Sequence, residues 1–338
     1  MIIDLRSDTV TKPTKPMLEA MFSAEVGDDV FEEDPTVKKL EQKLADMFKM
    51  ESGLFCPSGT MCNQIAIRTH TQPGDEIICD ESAHIYNFEG GGPATNSGAS
   101  IKVIKGANGI ISPEDIKSNT RSVADWYARS RMVFIENTCN ITGGNYYTLE
   151  QIKALSAVCK ENELKFHLDG ARIFNALAET RDSPQDFGQY FDSISIVLSK
   201  ALGCPVGSVI LGNKDFIKKA RKTRKILGGG MRQVGYLAAA GLYALDHHID
   251  RLKDDHQRAR ALQDILAEIS FVEEILPVYT NIVVFKLNNT MNSEEFENKL
   301  LKENIKVVHL DSRTIRMVTH LDFDDEMLER VSKVLRSL

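Results

Sequence analysis

Short apolar runs alternate with helical patterns along most of this chain. EIICD (76–80), IKVI (101–104), MVFIEN (132–137), KFHLD (165–169), the run from Asp192 carrying Ile194, Ile196 and Val197, and SVILG (208–212) are apolar, mostly rich in β-branched residues. Runs of that length and composition predict buried strands. Between them the apolar positions recur at helical spacing. Val37, Leu40, Leu44 and Met47-Phe48 follow Pro35, MCNQIAIRTH follows SGT, and further helices are predicted from Pro113 and over 148–162. Strands alternating with helices predict an α/β fold with a mostly parallel, helix-covered sheet. Helices at about 232–247 and 250–269 close this part. Beyond them, strands near 281–287, 305–310 and 313–318 between two helices predict a smaller α+β unit.

Composition narrows the class of partner. With 338 residues the chain has ample core, and 42% hydrophobic against 26% charged residues is ordinary for a soluble globular protein. A net charge of −7 argues against a nucleic-acid or anionic-membrane partner. No run approaches a transmembrane helix, and MIIDLRSD lacks the basic and apolar regions of a signal peptide. The cysteines at 56, 62, 79, 139, 159 and 204 show no CxxC pairing and no metal-ligand rhythm. They read as reduced thiols of a cytoplasmic enzyme that needs no metal.

The chemistry concentrates where strands end. DSISIVLSKALGCPVGS breaks at Ser199-Lys200 into a loop holding Gly203, Pro205 and Gly207, so a lysine stands where a core strand runs out. Open α/β sheets bind their ligands there, and burial favours the neutral, nucleophilic amine. In KFHLDGAR, Asp169 and Arg172 fall at the end of another strand. A lysine, an acid and an arginine at strand ends are what pyridoxal phosphate requires: a Schiff-base partner, a partner for the pyridinium nitrogen and an anion clamp. Ser58-Gly59-Thr60 opens a helix and offers free N–H groups to a phosphate. His84 follows the end of EIICD and precedes the glycine-rich FEGGGPA.

Together HLDGARIFNA, LSKALGCPVGS, DLRSDTVTKPT, GDDVFEEDPTV, FCPSGTMCNQIA and LGGGMRQ resemble the low-specificity L-threonine aldolases. These are pyridoxal-phosphate enzymes of the aspartate-aminotransferase fold, fold type I. The resemblance implies a large cofactor-binding domain over 15–249, a small C-terminal domain over 250–338 and an arm, 1–14, packed near the active site. It makes Lys200 the cofactor lysine, Asp169 the partner of the ring nitrogen, and His84 a ring-stacking, proton-exchanging residue that also meets substrate. Ser58, Gly59, Thr60 and Arg172 join the cofactor site, with Arg232 reaching a phosphate partly from across a dimer. Ser7, Arg172 and Arg316 meet the substrate carboxylate.

The implied reaction is retro-aldol cleavage of L-threonine, L-allo-threonine and other β-hydroxy-α-amino acids to glycine and an aldehyde. The implied assembly is a homo-oligomer, a dimer at least and a tetramer by family habit. Another pyridoxal-phosphate lyase, β-eliminating and acting on an aromatic or hydroxy amino acid, is the alternative, because cofactor residues alone do not choose the bond broken. Two positions depart from the family pattern. Trp126 stands where a histidine is usual, and ENTCN replaces ENTHN, so Cys139 replaces an imidazole. Either change could alter the pocket for the β-side chain or the water that serves as base; for Trp126 the alternative is a place outside the pocket with no role in it.

Overall fold

The structure, a computed structural model, describes residues 2–338. The chain enters through a short strand, β1 (Ile3–Asp4). The next seven strands are β2 (Ser52–Cys56), β3 (Asp75–Asp80), β4 (Ser100–Ile104), β5 (Arg129–Glu136), β6 (Lys165–Gly170), β7 (Ser193–Val197) and β8 (Ser208–Gly212). They form one sheet in the order β2-β8-β7-β6-β5-β3-β4. All neighbours from β7 to β4 pair parallel, and β8 runs antiparallel to both β7 and β2. Every residue of β3, β7 and β8 is buried. Helices cover both faces, which is why these strands read as continuous apolar runs rather than alternating ones.

The last five strands are β9 (Val272–Ile275), β10 (Ile282–Leu287), β11 (Ile305–Lys306), β12 (Val308–His309) and β13 (Thr314–Val318). Four of them make an antiparallel sheet, β12-β13-β10-β9. The expected single strand over 305–310 is split at Val307. Its first half pairs parallel with β1, and its second half pairs with β13. Ile3 and Leu5 lie in one apolar cluster with Phe285, Phe296 and Met317, so the arm is sewn into the C-terminal core before it reaches the large sheet. β9 was missed in the sequence because VEEI exposes half of its residues and shows no apolar run. Among the described residues no helix is long and apolar enough to cross a membrane. All six cysteines are buried and unpaired.

One buried acid gives the fold a pH signature. Glu41, on helix Pro35–Met47, accepts the Phe55 N–H at 2.7 Å. Burial pushes its carboxyl from 4.5 up to about 7, against that hydrogen bond and the charge of Arg221. The folded chain therefore holds this proton more tightly than the unfolded chain does. The resulting stability is fully present below pH 4.5 and is lost as pH rises through about 7. Glu41→Gln keeps an acceptor for Phe55 without the charge. It is expected to raise the melting temperature at pH 8 and not at pH 4, with about 3 kcal/mol as the upper bound. An equal gain at both pH values would show that the titration of Glu41 is not the cause.

Candidate active site

The site lies beyond the C-terminal ends of β3, β5, β6 and β7, where parallel strands leave their backbone ends open. A cavity of about 600 Å³ there is lined by Lys200, His84, Arg172, Arg316, Ser7 and Asn140, among others. Lys200 follows β7 after Leu198 and Ser199. Burial, then the positive charge of Arg172, hold its amine below the usual lysine range, opposed by Asp169, Asp8 and Glu136. More of the amine is therefore neutral, as a nucleophile needs.

Asp169 is buried near the end of β6. Its Oδ1 accepts the Ala171 N–H at 3.0 Å and its Oδ2 accepts from Asn63 Nδ2 at 2.8 Å. Next to it in register stands Glu136 of β5. Burial and the nearby charge of Asp169 push the Glu136 carboxyl up to about 7, while the N–H of His84 bonded to it pulls the other way. His84 opens a short helix after β3, with Nδ1 hydrogen-bonded to Glu89 Oε1 at 2.9 Å. Burial disfavours its charged form, but the hydrogen bond to Glu89 and the charge of Asp169 prevail and raise its pKa.

Ser58 caps helix Gly59–His70, accepting the Met61 N–H at 3.2 Å. Its oxygen accepts from the helix, and its O–H stays free to donate. The N–H groups of Gly59 and Thr60 have no partner among the described residues. A Cβ on Gly59 would stand 2.6 Å from Val197 Cγ2, so only glycine lets this helix start press against the end of the strand that leads to Lys200. An amine of lowered pKa, a buried carboxylate, an imidazole and two free N–H groups at a helix N-terminus match the aldehyde, ring nitrogen, ring face and phosphate of pyridoxal phosphate.

The carboxylate end is more crowded than expected. The fork of Arg172 is taken by Asp8, with Nε and Nη2 at 2.6 and 2.7 Å from its two oxygens. Arg172 therefore anchors the arm first, and only Nη1 is left toward the cavity, 3.4 Å from Asn140 Oδ1. Arg316, on β13, points Nη1 at the same Asn140 oxygen at 3.0 Å and Nη2 at the Arg6 carbonyl at 3.0 Å. Burial, then Arg172, lower its pKa to about 10, opposed by Asp8. Two guanidinium groups thus share one neutral oxygen, an arrangement that favours a carboxylate over the amide. Ser7 lines the cavity and caps the turn Asp8–Val10 through its own oxygen.

Arg232 was expected at a phosphate partly from across a dimer, and for Trp126 and Cys139 the structure corrects a place in the pocket. Arg232 does not line the cavity of its own chain: its Nη1 lies 2.9 Å from Asp28, its guanidinium sits over the Phe31 ring, and it is largely exposed. Trp126 packs edge-on against Tyr127 and is 79% exposed. Its loop is tied by Arg121 and Arg129 to Glu76 and Asp75, which begin β3, so it lies at the opposite end of the sheet from the site. Cys139 turns away from the cavity into the Gly109 turn, its thiol pointing at the Gly109 and Glu136 carbonyls. Conversely, Asp8, Asn63, Glu89, Glu136 and Asn140 were not singled out. Each stood in a quoted motif, but nothing local marks a side chain whose partner is in another motif.

Residues 4–290 match the family described as beta-eliminating lyase. The low specificity L-threonine aldolase of Escherichia coli (strain K12) is 38% identical over 332 residues, 98% of this chain and 97% of its own length. That of Saccharomyces cerevisiae is 42% identical over 311 residues, 90% of this chain and 79% of its own. Among solved structures, the threonine aldolase of Leishmania major superposes with a TM-score of 0.86 at 22% identity, covering 99% of each chain. That likeness bears on the fold, which is the aspartate-aminotransferase-like fold expected from the sequence. Matched over nearly its whole length, the chain belongs to the beta-eliminating lyase family and, within it, to the low-specificity L-threonine aldolases.

Proposed function

We propose that this protein binds pyridoxal phosphate and cleaves L-threonine, L-allo-threonine and related β-hydroxy-α-amino acids to glycine and an aldehyde. One observation carries the reading: a lysine of lowered pKa, an imidazole and two converging guanidinium groups line a single cavity. Bound there, pyridoxal phosphate supplies an aldehyde that captures an amine and a ring that withdraws electrons from Cα. Lys200 holds the cofactor, and Asp169 keeps a proton on the ring nitrogen. Arg316 and the free nitrogen of Arg172 take the substrate carboxylate, displacing the Asn140 oxygen from between them. His84 lines the same cavity as the two arginines, which supports it as the partner of the β-hydroxyl.

His84 takes the proton of the β-hydroxyl. The Cα–Cβ bond then breaks, the oxygen becomes the carbonyl of the aldehyde, and a proton returns to Cα to give glycine. The proton that His84 took up balances the one returned to Cα, and Lys200, no longer bonded to the cofactor, takes the cofactor back as glycine leaves. The free N–H groups of Gly59 and Thr60 support a phosphate site at the helix start.

The protein is proposed to work in the cytoplasm, in threonine breakdown and glycine formation, as a homo-oligomer of two or four copies. Arg232 would serve a partner's phosphate site rather than its own. Its exposure beside exposed Phe31 and Tyr236 supports a contact between copies on that face.

Incubation with L-threonine is expected to release glycine and acetaldehyde in equal amounts. Formation of a 2-oxo acid and ammonia instead, with no glycine, would show that the protein eliminates the β-substituent rather than breaking the Cα–Cβ bond.

A further inference from the structure

Beneath His84 lies a set of buried polar groups that the reaction as written does not use. Glu89 has a fully buried side chain. Its Oε1 accepts from His84 Nδ1 at 2.9 Å and from Asn63 Nδ2 at 2.8 Å, and its Oε2 accepts from Gln64 Nε2 at 2.7 Å. A glutamate with nothing to hold would not be taken this far from water. The glycine-rich turn after it has the shape this requires. Gly90 and Gly91 have φ of +59° and +72°, which fold the chain back at once. A Cβ on Gly92 would stand 2.6 Å from Gln64 Cδ, so the next helix presses on the side chain that donates to Glu89.

Asn63 ties this group to the cofactor acid. Its amide nitrogen reaches both Glu89 Oε1 and Asp169 Oδ2 at 2.8 Å, one hydrogen for each. Its amide oxygen accepts from Ser195 Oγ at 3.0 Å. The amide cannot turn over, because its oxygen would then face two carboxylates. Both carboxylate oxygens must accept from Asn63, and Glu89 Oε1 therefore meets His84 as an acceptor too. The ring nitrogen facing it must carry a hydrogen.

We propose that Glu89 is a positioning residue for His84, holding the imidazole with Nδ1 as donor so that Nε2 faces the cavity as the proton acceptor, with Asn63 locking this arrangement to Asp169. The proposal rests on the reading of His84 as the base for the β-hydroxyl. When Nε2 takes that proton, the imidazolium stays paired with Glu89, so the charge formed in the reaction has its partner in place beforehand. The charged groups that face His84 are Glu89, Asp169 and Lys200, with Glu136 bonded to its backbone N–H.

Nitrogen-15 NMR of histidine-labelled protein reads this without turnover, in the cofactor-free state. Neutral His84 of the wild type is expected as the Nδ1–H tautomer; finding the Nε2–H tautomer overturns the proposal with no variant needed. Glu89→Gln is expected to mix the tautomers and lower the His84 pKa. With cofactor restored, kcat should fall about 10- to 100-fold with KM little changed. The acid limb of the pH profile should move down with the measured pKa, and Glu89→Asp should recover part of the rate. An unchanged tautomer and pKa in Glu89→Gln would mean that Glu89 only fills space. If the NMR behaves as expected while neither Glu89→Gln nor His84→Asn lowers kcat, the fault is in the reading of His84 as base, and the catalytic part of the proposal falls with it.

Discussion

Lys200→Ala is expected to abolish covalent attachment of pyridoxal phosphate and to lower turnover on the order of 10⁴-fold or more. No other lysine lines the cavity among the described residues, so no second amine can take over from nearby. Its lowered pKa is the functional part of its burial, because only the neutral amine attacks an aldehyde. Borohydride reduction of the wild-type holoenzyme followed by peptide mapping should find the reduced adduct on the peptide that carries Lys200. An adduct on Lys222 or Lys225 instead, or a Lys200→Ala protein with ordinary turnover, would move the active site to another part of the fold.

Asp169→Asn is expected to keep binding cofactor but to lose on the order of 10³-fold in rate. Two effects point the same way. An amide has no charge with which to keep a proton on the ring nitrogen. It also cannot reproduce the hydrogen bonds of Asp169, whose two oxygens accept from Asn63 and from the Ala171 N–H. Asparagine has one acceptor, so its NH2 must face one of those donors, and an N–H is left unsatisfied in a buried place. The loss should appear in kcat more than in KM, because the charge matters most when electrons move toward the ring. Equal rates for the variant and the wild type would reduce Asp169 to a structural residue that orders the chain after β6.

The order of apolar runs determined a good deal by itself. It marked six strands of the large sheet, and with them the strand ends at which Asp169 and Lys200 stand, because a buried strand needs a local run of β-branched and apolar residues and cannot hide it. Ser58 was legible as a helix cap for the same reason, since a cap and its helix are adjacent in sequence. Tertiary structure alone decided how side chains were shared. Arg172 read as an anion clamp, but its fork is closed by Asp8, 164 residues away, once the arm is sewn into the C-terminal core. Asn140 stands between Arg172 and Arg316 only because the small sheet brings β13 over the large one. Trp126 was a candidate for the pocket because it stands where the family usually has a histidine, yet a loop entering a strand and the residues leaving it lie at opposite ends of the sheet. Glu89 gave no local sign at all, since one glutamate before three glycines looks like a surface turn. Its burial follows from three donors, on two separate segments, that come together only when helix Gly59–His70 packs against the turn. Local pattern encodes which backbone is regular and which face is apolar; the partner of a buried polar group depends on strand order and packing, which no window of sequence contains.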